Sequence, residues 1–186
     1  MNFIDKILDQ KIISEYDHAN YIDSIDGENS FHMDCSGFVY WCLFQMGYRR
    51  ALVELRHFLR VNDFIKINRF FCQDFNFVYK NRSDFKYWRF LSVPVSGCIC
   101  VVVFPDGAGH CMFVDKILNN NGAKLEMRVV DSTRYPHRND TRGEHDTGIG
   151  RGEIQILYTG KDIRYDAGNA ALPLRNAEVY FVMPIK

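Results

Sequence analysis

Beyond Pro94 the chain is written almost entirely in short β-rich runs: GCICVVVF, HCMFVDKI, KLEMRVVD, EIQILY and VYFVMPI, separated by clusters of Gly, Asn, Asp and Pro. Before Pro94 the apolar residues recur at helical spacing instead. Phe3, Ile4, Ile7, Leu8 and Ile12 mark a first packing helix, and Leu52, Leu55, Phe58 and Leu59 mark another within Arg49 to Arg69, with a break expected near Asn62 and Asp63. Helices first and strands afterwards point to an α+β fold, with N-terminal helices packed on an antiparallel sheet of about five to six strands rather than alternating βαβ units. At 186 residues the chain suits a single domain, residues 1–186. His18 to Met33 reads as a polar loop, Phe70 to Phe90 as mixed short helix, and Asp131 to Gly152 as a long Gly-bearing loop, a candidate lid.

Composition narrows the function classes. Lys+Arg and Asp+Glu number 23 each, so the net charge is zero and no bulk electrostatic reason exists to bind nucleic acid or an anionic membrane. The longest apolar run, Cys98 to Phe104, falls far short of the ~20 residues of a membrane helix. Asp5, Lys6, Asp9 and Lys11 interrupt the start, so no signal-peptide core is expected there. A cytoplasmic setting with reduced thiols is the resulting expectation, with non-classical export left open.

Six cysteines stand at 35, 42, 72, 98, 100 and 111. Cys35 differs from the rest by position. In DCSGFVYWCLFQMG, the residues Cys35, Phe38, Val39, Cys42, Leu43 and Met46 form a buried helical stripe that Gly47 ends, and Asp34 stands where an N-cap belongs. A thiol at the first turn of a helix is favoured as thiolate, the nucleophilic form, and the same unpaired N–H groups suit an oxyanion. The alternative is that Cys35 is only the first rung of the stripe.

A nucleophile needs a base. His57 lies in helical text, and His18 and His32 in the polar loop, whereas His110 opens the strand HCMFVD. If the Asn/Gly turn of LNNNGA centres between Asn120 and Asn121, His110 faces Asp131, Met112 faces Val129 and Val114 faces Met127. Phe113 then pairs with Arg128 and Asp115 with Glu126. Asp131 would orient the His110 ring while the other ring nitrogen addresses Cys35. His137 is the fallback third member. A structural His–Asp pair is the competing explanation.

Metal ligation is not expected. His137, Asp140, His145 and Asp146 match no metal spacing, and strand alternation sends His110 and Cys111 to opposite faces, away from a joint site with Cys98 and Cys100. No cofactor is expected, and cysteines other than Cys35 read as packing.

The stretch from Asp34 to Gly47 resembles the nucleophile helix of the NlpC-type branch of papain-like cysteine peptidases, which opens on Asp-Cys-Ser-Gly. The later order, Gly97 and a buried strand, then His110, then a polar residue on the next strand, is similar too. This chain has Cys98 where the family often has Asp, and Asp131 where it usually has His or Asn. The resemblance implies a nonpermuted papain-like fold and a Cys35, His110, Asp131 triad acting on a peptide or isopeptide amide, in some members a cell-wall peptide. It also implies substrate-binding roles for Asp34 and Ser36, which would meet a free peptide amino end, and for an upstream tyrosine, Tyr21, near the oxyanion. Acyl transfer of the transglutaminase kind on the same triad, and a catalytically silent binding module, are the other classes left open. The oligomeric state is not legible.

Overall fold

The computed structural model describes residues 3–9, 13–25, 28–61 and 72–186. In chain order the elements are α1 (Phe3–Asp9), β1 (Ile13–Glu15), β2 (Tyr21–Ile25), β3 (Glu28–His32), α2 (Cys35–Gln45), α3 (Arg49–Val61) and α4 (Cys72–Lys80). They continue as β4 (Trp88–Leu91), β5 (Ile99–Val103), β6 (Gly109–Asn120), β7 (Lys124–Thr133), β8 (Gly148–Thr159), β9 (Asp162–Asp166), β10 (Arg175–Asn176) and β11 (Glu178–Pro184). Helices do precede the main sheet. Ile12 and the expected break at Asn62 and Asp63 lie outside the described residues.

The main sheet is larger than expected, with eight strands in the order β10-β9-β8-β7-β6-β5-β11-β4, every pairing antiparallel. The five apolar runs became β5, β6, β7, β8 and β11. The three additional strands are short and flank them. β4 is an aromatic edge strand within the stretch expected to be helical, β9 reads DIRYD with charges at both ends, and β10 has two residues. The His18 to Met33 loop is also corrected: β2 and β3 pair there and, with β1, make a three-stranded sheet. A polar sequence without apolar alternation conceals strands of that kind.

Alternation along the central strands builds two cores. Ile99, Val101, Val103, Cys111, Phe113 and Val130 face the helices, packing against Phe38, Val39, Leu43, Leu55 and Phe75. Cys100, Val102, Met112, Val114, Val129, Ile154 and Ile156 face the other way and are equally buried. That second core draws its buried residues from the sheet strands and the residues beside them.

The β6–β7 hairpin departs from its expected register. Gly122, at φ 81°, and Ala123 make the turn, Asn121 N–H donates to Lys124 O across it, and Asn120 pairs with Leu125. Irregularities between Val114 and Lys116 and between Ile117 and Asn119 each shift the ladder, so that Phe113 pairs with Val130 and Val114 with Val129. The expected pairs Met112–Val129, Val114–Met127, Phe113–Arg128 and Asp115–Glu126 are therefore replaced. The displacement at this end is two residues, which preserves the face. His110 and Asp131 stay on one side as diagonal rather than direct neighbours.

Two ties fix the entry to α2 against the sheet. Ser132 Oγ on β7 donates to the carbonyl of Met33 at 2.5 Å, and Met33 N–H donates to Glu15 O at 3.1 Å. β1 is itself anchored on β8, where Ile149 N–H donates to Ser14 Oγ at 2.9 Å. Gly148 allows this approach: its φ is +92°, and a Cβ would lie 2.6 Å from the Ser14 backbone. Gly148→Ala is expected to cost about 1–3 kcal/mol of stability. Urea unfolding of the variant against the parent checks it; an unchanged midpoint would show that β1 is not pinned here.

Candidate functional site

Asp34 caps α2 as its sequence position suggests. Its backbone is extended, and Oδ1 accepts from Gly37 N–H at 2.8 Å and from Ser36 Oγ at 2.9 Å. Oδ2 meets His18 Nδ1 at 3.1 Å, and Asp34 N–H donates to Asn20 Oδ1 at 3.1 Å. Asp34 and Ser36 are thus buried and engaged in the cap. The cap sets Cys35 as the first helical residue, 6% exposed, with its sulfur at the positive end of an 11-residue helix.

His110 stands at the second residue of β6, beside Val102 of β5. Its Nε2 donates to Asp131 Oδ2 at 2.5 Å, which leaves Nδ1 for Cys35. Asp131 is fully buried on β7. Three cationic or donor groups converge on it: His110, His137 through Nε2 to Oδ2 at 2.7 Å, and Arg142 through Nη2 to Oδ1 at 3.0 Å. Asp140 in turn holds the guanidinium at 2.6 and 2.7 Å, and accepts from His137 N–H at 2.7 Å. His137 Nδ1 lies 2.8 Å from the carbonyl of Ala167. The His137 ring is thus held between the Asp131 carboxylate and a backbone carbonyl.

The structure therefore brings Cys35, His110 and Asp131 together and puts His137 behind Asp131. His137 supports the carboxylate. The loop after Thr133 is not a simple lid either, because His137, Asp140 and Arg142 are buried in it as a brace for Asp131.

Electrostatics at the site follow from these contacts. Hydrogen bonding from Cys111 and then Cys72 holds the Cys35 thiol well below the usual range, against burial, and His110 adds to this as charge and hydrogen-bond partner. Burial pulls His110 down, but the Cys35 charge together with the Asp131 hydrogen bond and charge outweigh it, and its pKa is pushed up to about 10. Burial likewise opposes ionisation of Asp131, and the charges of His137 and Arg142, with the His110 hydrogen bond, overcome it and hold the carboxyl well below its ordinary value. Both shifts favour a thiolate on Cys35 beside a protonated His110.

Three participants had not been singled out. Tyr16, just after β1, is near enough to Cys35 and Asp34 that, after burial, their charges raise its pKa. Its N–H donates to Thr147 Oγ1 at 3.2 Å and Arg134 lies over its ring, so both ends of the bracing loop hold it. Tyr21, the tyrosine expected at the site, opens β2; its side chain lies outside the described residues. Cys72, at the start of α4, places its sulfur 3.8 Å from that of Cys35, and Cys111 completes a cluster in which all three sulfurs lie within 4.8 Å of one another. Burial raises the Cys111 thiol, and the neighbouring Cys35 and burial raise Cys72 although a Cys111 hydrogen bond opposes this.

Among the described residues a second group of metal-competent side chains is His110, Asp131 and His137, but the atoms they turn to one another, His110 Nε2, Asp131 Oδ2 and His137 Nε2, are spent on hydrogen bonds among them. No helix of the described residues is long and apolar enough to cross a membrane. Compared with protein-family models, curated proteins and solved structures, the chain has no significant match.

Two outcomes test this geometry. Asp131→Asn leaves Arg142 and His137 facing an uncharged amide, and a loss of about 3–5 kcal/mol in urea unfolding is expected. Cys35→Ala removes the largest influence that raises His110, so the ring should titrate below about 10 in an NMR pH series. A His110 pKa unchanged in the variant would assign the shift to Asp131 alone.

Proposed function

We propose that this chain is a papain-like cysteine amidohydrolase or peptidase of the NlpC type, cleaving an amide bond through a Cys35 acyl-enzyme. The observation that carries this reading is the thiol at the α2 N-terminus, held low in pKa beside a histidine whose other nitrogen is bonded to a buried carboxylate.

In this mechanism the Cys35 thiolate attacks the amide carbonyl carbon, and the electron pair moves onto oxygen. Backbone N–H at the start of α2 and the Tyr16 hydroxyl receive that oxyanion, the role that the resemblance gives to Tyr21. The His110 imidazolium then gives its proton to the leaving nitrogen as the C–N bond breaks, leaving a thioester on Cys35. Neutral His110 next takes a proton from water, the hydroxide adds to the thioester, and the acid departs with Cys35 restored as thiolate. Asp131 keeps the His110 ring oriented throughout and stabilises its charged form. Asp34 Oδ2, shared with the exposed His18 and one residue before the nucleophile, is the anionic group for a substrate's amino end.

The experiment pairs labelling with turnover. Iodoacetamide at neutral pH should modify Cys35 far faster than the other five thiols, and His110→Ala should abolish that excess; uniform labelling would overturn the reading. On a panel of peptide amides that includes cell-wall peptides, His110→Ala is expected to lower kcat/KM by about 10²–10⁴. Tyr16→Phe should lower kcat by about 10² if its hydroxyl serves the oxyanion. The rate should rise with a Cys35 limb well under the ordinary thiol value of 9.0 and fall as His110 deprotonates near 10. Conjugate formed when an amine acceptor is added would reassign the second step to acyl transfer.

A further inference from the structure

Cys72 and Cys111 make and break no bond in amide cleavage and act there only through the Cys35 pKa, yet they are partners of the Cys35 sulfur. They arrive from separate elements, the first residue of α4 and the third of β6, and meet at the N-terminus of α2. Cys98 and Cys100, by contrast, lie in the other core, on the far face of the sheet. Packing accounts for three buried thiols but not for their convergence on one point.

The spacing suits an ion. Zinc–thiolate bonds of about 2.3 Å in tetrahedral geometry separate the sulfurs by about 3.8 Å. Cys35 and Cys72 are already 3.8 Å apart, and all three sulfurs lie within 4.8 Å. His110 beside Cys35 has Nε2 bonded to Asp131, the arrangement that holds a metal-bound imidazole, in which one nitrogen meets the ion and the other a carboxylate. The N–H end of α2 favours the net negative charge of a divalent ion with three thiolates. Soft sulfur ligands select Zn²⁺ over Mg²⁺ or Ca²⁺.

We propose that Cys35, Cys72 and Cys111 form a three-thiolate site for Zn²⁺, with His110 Nδ1 as the fourth ligand, and that the bound ion withdraws the Cys35 nucleophile. Binding releases the thiol protons of Cys72 and Cys111 and the proton shared by Cys35 and His110 to solvent, and no electrons move. The site stands independently of the amidohydrolase reading; its inhibitory consequence rests on that reading.

The test uses the full, reduced, metal-free chain. Titration with Cd²⁺ as a spectroscopic probe should give a thiolate-to-metal charge-transfer band saturating at one ion per chain, and Mg²⁺ should give none. X-ray absorption of the Zn²⁺-loaded protein should count three sulfurs and one nitrogen at the ion. Cys72→Ser and Cys111→Ser should each weaken Zn²⁺ binding by at least about 10²-fold, since outer partners alone are worth 10–100-fold. Cys42→Ala should leave it unchanged. Zinc should also block iodoacetamide at Cys35, with a chelator restoring reactivity. A zinc environment with one sulfur or none overturns the proposal, and that count needs no variant to fold. Slow Cys35 labelling in the metal-free protein, with three-sulfur coordination intact, would overturn the amidohydrolase reading and leave the metal site standing.

Discussion

A carboxylate buried without a trace of exposure decides how the rest of this molecule is arranged. Placing an ionised Asp131 between two cores is costly unless cations and hydrogen bonds surround it. His110, His137 and Arg142 do so from three directions, and Asp140 balances Arg142 from behind. The segment between β7 and β8 is shaped by this requirement, because it has to return His137 and Arg142 to the strand it has just left. Its polar composition, which suggests a mobile lid, instead serves a buried charge cluster.

The same cluster carries an electrostatic chain outward. Arg142 and His137 keep Asp131 ionised, Asp131 favours a protonated His110, and the protonated ring favours the thiolate of Cys35. Each link is a short contact between neighbours, so the state of the thiol depends on groups with which it has no contact. Helix α2 contributes from the other side, through its cap and its unpaired N–H groups.

Much of this was readable in the residues because it rests on local chemistry. The α2 boundaries follow from Asp34, the apolar stripe and Gly47, and the five strong strands from their runs of β-branched residues. His110 and Asp131 share one face because the observed hairpin register differs from the one the Asn/Gly turn suggests by an even number at that end. Two bulges and a later turn moved the pairing, and parity preserved the conclusion. Elsewhere the signal was absent from the chain. β1, β2 and β3 carry little apolar alternation, and β10 has two residues. Tyr16, Cys72 and Cys111 reach Cys35 only through tertiary packing, which no spacing along one element records.

The tie between Ser132 and Met33 joins the strand that carries Asp131 to the residue that leads into the α2 cap. Cys35, Cys72, Cys111 and Asp131 otherwise come from four elements far apart in sequence. An incompletely folded chain, with β6 and β7 unpaired, has six ordinary thiols of little reactivity at neutral pH. The lowered pKa of Cys35 is therefore a property of the finished fold, and a chain still being made does not yet have it.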